Sequence, residues 1–197
     1  MKKLPEGYEI RAVSYEELAP YVAAGEAEIF AEDDWYFDIP QILKADELEK
    51  IAKLKENYKN LVTFHYAAFY KGELVGWSYG RQSSIEDNLS DYYIYSTFVY
   101  KPHRRNGLYT KMLEMTIGDC AKIGIQTVFT HHTMTNNPVI IAGLKAGFVI
   151  TGTHFTDGFG TNVQLSYYTN KERRRLLDIR MGHDRPNTTD FNVMGIK

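Results

Sequence analysis

A chain of 197 residues and 22.7 kDa, 44% hydrophobic and 24% charged, suits one globular domain and argues against disorder. Its 23 basic and 25 acidic residues leave a net charge of −2, which gives no reason to expect nucleic acid as a partner. One cysteine, Cys120, rules out an intrachain disulfide and a cysteine-based zinc site and makes a reducing, cytoplasmic compartment the expectation; Met1–Tyr8 lacks an apolar stretch, so no signal peptide is expected there, and no apolar run is long enough to span a membrane as a helix.

Pro5 and Gly7 precede a predicted strand, Tyr8 to Val13. Ser14 then caps a predicted helix running to about Phe30, with Glu16 and Glu17 near its positive end. An acidic and aromatic stretch over 32–38 breaks that helix, and a second is expected from near Pro40 with Asp38 as its cap. Val62 to Tyr70 and Leu74 to Gln82 read as a hairpin around Lys71-Gly72-Glu73. A polar loop leads to the next strand, Tyr92 to Tyr100. Lys101 to Asn106 is a basic loop, and a helix follows from near Gly107 to about Lys122, ended by Gly124. Gln126 to His132 is a strand, and Asn137 is the expected cap of a short helix with Pro138 at its first position and Gly147 at its close. Phe148 to Gly152 and Asn162 to Tyr168 are the last strands, around a Gly-rich connection, before a basic helix over Lys171 to Met181. The order β-α-α-β-β-β-α-β-α-β-β describes an α+β sheet with helices between runs of strands.

The stretch from Phe98 to Tyr109 carries the most chemistry. A strand runs into a basic, Gly-containing turn and then a helix start, where unpaired N–H groups and a partial positive charge favour phosphate. Gly107 lets the backbone approach a ligand, and His103, Arg104 and Arg105 add positive potential. His131 and His132 close the following strand on opposite faces. They are poor metal-ligand geometry, and no metal is expected. Asp33 and Asp34 offer an attraction for a cationic acceptor.

Val99, Arg104 and Gly107 resemble the acyl-CoA loop of the GNAT N-acetyltransferase superfamily, Arg/Gln-x-x-Gly-x-Gly/Ala with a Val five residues before it; Tyr109 stands where the family has a small residue. Asn136, eleven residues before Gly147-Phe148, matches a second family spacing. The resemblance implies a central mixed, mostly antiparallel sheet flanked by helices over residues 1–170, with 171–197 a basic helical segment and tail. It implies acetyl-CoA as co-substrate, bound at Phe98, Val99, Arg104, Arg105, Asn106, Gly107, Leu108, Tyr109 and Asn136, with main-chain N–H groups of the loop on the pyrophosphate and the strand at Phe98 and Val99 beside the pantetheine, and direct transfer to an amine acceptor in a ternary complex. A non-catalytic acyl-CoA-binding module of the same fold is the alternative. The family's usual tyrosine, seven residues after the Asn, is Gly143 here, and the strand before the loop lacks an acid. His131, His132, Asp91 and Tyr109 are the candidates for the proton-transfer roles. The tail carries seven Lys or Arg against four Asp or Glu, beside an apolar side at Leu176, Leu177, Ile179 and Met181 and further apolar residues at Phe191, Val193, Met194 and Ile196. It is expected to be ordered by a partner subunit, in a homodimer, or by the acceptor cleft.

Overall fold

Runs of aromatic and β-branched residues cannot hide their apolar faces alone, and here they pair into one sheet. A computed structural model describes residues 3–29, 43–55, 60–83, 90–187 and 190. Among these, seven strands lie in the order β1-β2-β3-β4-β5-β7-β6. They are β1 (Tyr8–Ala12), β2 (Thr63–Tyr70), β3 (Glu73–Ser83), β4 (Asp91–Val99), β5 (Thr127–Thr133), β6 (Val149–Thr156) and β7 (Gly160–Tyr168). The helices are α1 (Tyr15–Ile29), α2 (Ala45–Lys55), α3 (Leu108–Lys122), α4 (Asn137–Lys145) and α5 (Lys171–Arg180). Every pairing is antiparallel except β4 with β5, which is parallel.

Helices cover both faces. On one face α1 lays Leu18 and Val22 against Ala67, Trp77 and Phe98. Gly25 is essential to that approach, because a Cβ there would overlap the Trp77 ring. On the other face α3 buries Leu108, Met112, Leu113, Thr116 and Cys120, a stripe at helical spacing. Leu108 and Met112 meet Tyr66, Ala68, Val75 and Val99, while Leu113 and Cys120 meet Tyr92, Ile94, Val128 and Leu165. Each large side chain fully buried this way contributes about 1.5–3 kcal/mol. α4 joins α3 on this face, with Ile140 packed on the second cluster and Gly143 against Leu165.

Most predicted elements appear within a residue or two of their expected ends. Ser14 does cap α1, its Oγ accepting from the Glu17 N–H at 3.2 Å. Three expectations are corrected. The second helix begins at Ala45 rather than near Pro40, with the Glu47 carboxylate accepting the Lys44 N–H at 2.8 Å; Asp38 and Pro40 lie outside the described residues. Asn137 is the first helical residue of α4 and not its cap; the cap position is Asn136, without a side-chain capping bond. The supposed Gly-rich connection belongs to strand: β6 continues to Thr156 and β7 starts at Gly160, leaving a tight turn over 157–159.

The basic helix α5 packs back on the chain's own β7. Asn170 caps it, accepting from the N–H groups of Glu172 and Arg173 at 2.9 and 3.0 Å. Its three consecutive arginines are all engaged. Arg173 pairs with Asp91 at 3.6 Å, Arg174 donates to the Gly147 carbonyl at 3.3 Å, and Arg175 pairs with Asp184 and with Asp190, the latter at 3.1 Å. Phe191, Val193, Met194 and Ile196 lie outside the described residues.

Candidate active site

The parallel register between β4 and β5 covers four pairs, from Asp91↔Thr127 to Ile94↔Thr130. It ends there. Among the described residues, β4 runs on through 95–99 with β3 alone at its side, and β5 runs on through 131–133 paired only with β7. The two strands part at the end of the sheet where both feed a helix N-terminus, α3 after β4 and α4 after β5. Crevices of this kind, beyond the carboxyl ends of adjacent parallel strands, are where ligands bind open α/β sheets.

The loop between β4 and α3 is built to present its backbone. Gly107 sits at the α3 cap with φ 80°, and no side chain caps the helix. Its first-turn N–H groups therefore face outward, where the helix dipole is positive. Arg105 also takes a left-handed φ of 67°. Side chains of the loop brace it from within. Arg104 folds back so that its Nε donates to the Val99 carbonyl at 2.9 Å, with its guanidinium 5.9 Å from the Phe98 ring centre. Asn106 Nδ2 donates to the Tyr8 hydroxyl at 3.0 Å and to the His103 carbonyl at 3.1 Å. The Tyr8 hydroxyl also lies 3.0 Å from His103 Nδ1. Tyr8 was missed in the sequence because its partners lie more than ninety residues away. Phe98 and Val99 bury their side chains on opposite faces, so what they offer the gap is main chain. Leu108 is core. Tyr109 packs half-buried against the Leu113 cluster, and burial raises its phenol pKa and keeps it protonated. Asn136 stands at the start of α4 on the other side of the gap.

The remaining candidates separate. Asp91 is the first residue of β4, so about 26 Å of strand divides it from the loop, and it is tied to Arg173. The structure does not bring it to the crevice. His131 faces the α1 side among Tyr93, Phe129 and His154, with ring centres 5.2, 5.7 and 4.8 Å away. Its Nε2 lies 3.1 Å from Gln164 Oε1, and its pKa is lowered mainly by burial. His132 faces the opposite side, where burial lowers it to about 4. Asp33 and Asp34 lie outside the described residues. Cys120 is buried and its thiol is pushed up to about 12, which leaves it unreactive.

A feature not singled out in the sequence lies on the α1 side. A pocket of about 260 Å³ is lined by Tyr15, Thr63, His65, Tyr79, Gly80, Arg81 and Tyr95. His65 and Tyr79 stack at 6.4 Å, Tyr79 and Tyr95 at 6.3 Å, and Arg81 lies over Tyr95 at 5.0 Å. Tyr95 is the extra residue of a bulge, since Tyr79 pairs Ser96 and Gly80 pairs Ile94. The pocket thus abuts the point where β4 and β5 part. The signal was available: His65, Tyr79 and Tyr95 are aromatics on neighbouring strands, but only register shows that they meet.

The model of the Acetyltransferase (GNAT) family matches residues 27–148. No protein among the curated sequences matches the chain. Many solved structures share the fold. One is yncA of Salmonella typhimurium, solved with acetyl-CoA as its cofactor, at a TM-score of 0.61 and 14% identity over 84% of this chain and 96% of that one. A ribosomal-protein-alanine N-acetyltransferase of Brucella melitensis aligns at 0.60 and 14%, covering 81% and 99%. An N-acetyltransferase of Staphylococcus aureus Mu50 aligns at 0.59 and 15%, covering 83% and 99%.

Proposed function

Because the chain belongs to the GNAT acetyltransferase family, we infer that the crevice between β4 and β5 takes acetyl-CoA and that its acetyl group passes directly to the amine of an acceptor. The observation that carries this reading is the uncapped N-terminus of α3, set at the mouth of the parting strands. The pyrophosphate lies on the N–H groups after Gly107, with Arg104 stiffening the loop from behind. The rest of the donor follows the free edge of β4 over 95–99, which lacks a strand partner on the β5 side among the described residues.

The acceptor approaches from the α1 side, through the aromatic pocket, to the same point. His131 stands on that side with a depressed pKa, neutral at pH 7, and accepts the amine's proton directly or through water. No covalent enzyme intermediate is required, since donor and acceptor meet at one opening from two faces. One buried cysteine supports a reducing, cytoplasmic setting. A homodimer is supported by exposed apolar side chains on the edge strand β6, where Phe155 is 70% and Ile150 45% exposed; light scattering that returns the monomer mass removes that part of the reading.

Calorimetry with acetyl-CoA tests the donor site. A Cβ on Gly107 projects into open space, so Gly107→Asn, which tolerates a left-handed φ, places a side chain where the phosphates would lie without disturbing the protein. Wild type is expected to bind, and the variant to bind at least tenfold more weakly at nearly unchanged Tm. Equal affinity removes the loop from the site, and no binding by wild type removes the reading.

A further inference from the structure

Adjacent residues of a strand look to opposite faces, and the two histidines of β5 are treated differently by theirs. His131 has Gln164 as a partner. His132 does not: its Nε2 is buried and without a hydrogen-bond partner. Leaving such a nitrogen unpaired is destabilising, a cost a fold carries where a ligand supplies the missing partner.

The position of His132 says which ligand atom that is. Val128 and Thr130 precede it on the same face, Val128 inside the core under α3, and Thr130 donating through Oγ1 to the Ile94 carbonyl at 3.2 Å. That bond ties β5 to the last paired residue of β4. His132 is the next side chain on this face, the first past the point of divergence, with Val163 of β7 opposite it. α4 closes over the face from above, with Gly143 so near Leu165 that a Cβ would stand 2.8 Å from its Cδ1. A side chain at 143 has no room to turn inward. On the β4 bank Thr97 engages Ser78, 2.8 Å between hydroxyls. His132 thus brings a buried, unpartnered nitrogen to the crevice on the helix-α3 side, where the donor enters.

On the acetyl-transfer reading, we propose that His132 Nε2–H is the hydrogen-bond donor to the thioester sulfur of acetyl-CoA. The amine nitrogen attacks the carbonyl carbon. As the N–C bond forms and the C–S bond breaks, the electron pair passes to sulfur, and Nε2–H meets it without surrendering its proton. The amine's proton leaves on the α1 side, and the thiolate is protonated from water after release. An imidazole kept neutral by burial suits this role, because it donates steadily across the neutral pH range.

The test uses full-length protein with 15N-labelled histidine. CoA and desulfo-CoA, which lacks the sulfur, are added in turn while the His132 Nε2 resonance is followed. The proposal expects both to bind and only CoA to move that resonance. Alongside, His132→Phe is expected to lower kcat roughly ten- to hundredfold with the KM for acetyl-CoA within about twofold. Equal shifts with both ligands, no shift while both bind, or an unchanged kcat overturns it. Failure of both ligands to bind overturns the donor reading and takes the proposal with it. The resonance experiment needs wild-type protein alone, so it stands whether or not the variant folds.

Discussion

A single buried imidazole has a thermodynamic signature. Burial holds His132 at about 4 against an ordinary 6.5, so between these values the unfolded chain binds the extra proton. Stability therefore rises with pH across that window: the contribution of neutral His132 is complete above pH 6.5 and is lost as pH falls towards 4. Thermal melts of wild type and His132→Phe at closely spaced pH are expected to show a shallower acid limb in the variant. Parallel curves would place the titration elsewhere. Tyr8 offers a second residue-scale test. Its hydroxyl bridges His103 and Asn106, so Tyr8→Phe is expected to cost about 1 kcal/mol, read in urea, and to weaken acetyl-CoA binding several-fold by loosening the loop. At this scale the sequence was legible in part. The Gly107 turn showed itself through residue type alone. The tasks of Arg104 and Asn106 did not, because a basic or amide side chain bonds a ligand and its own backbone equally well, and only coordinates show which.

At the scale of elements, legibility failed where the strand period is broken. Tyr92 and Ile94 face α3, and strict alternation would put Phe98 beside them, yet Phe98 lies with Trp77 under α1. The bulge at Tyr95 inverts the faces, and no alternation of residue types announces it. Helix α1 carries a sharper test. Ala is the better helix former than Gly by about 1 kcal/mol, so propensity alone predicts that Gly25→Ala stabilises. The Trp77 ring occupies the space the methyl needs, and overpacking costs about 1–3 kcal/mol. Chemical denaturation is expected to show net destabilisation, and a gain would mean that α1 can lift off the sheet. Composition does not show the work of Arg173 and Arg174, because their partners, Asp91 and the Gly147 carbonyl, are far away in sequence. Truncation after Asn170 strips the cover from Asp91 and is expected to lower Tm by several degrees, an effect that Arg173→Ala reproduces in part.

The whole molecule is two antiparallel blocks, β1 to β4 and β5-β7-β6, joined through four parallel pairs. The first block is made mainly of neighbouring hairpin partners, β2-β3-β4, and the second closes around the β6–β7 hairpin. Such local pairings form early and open late, whereas a short parallel seam with a helical crossover has little of its own to hold it. The seam is therefore the weakest line in the sheet, and on the proposed reading a donor in the crevice at its end touches both banks. Amide hydrogen exchange should reveal this directly. Without ligand, the amides within 91–94 and 127–130 that bond across the seam should exchange ahead of those in the two hairpins, through sub-global openings that leave each block intact. With acetyl-CoA bound they should slow the most of any strand. Substrate would then act as a suture as well as a reactant, and the enzyme's resistance to proteolysis would track the supply of its own donor.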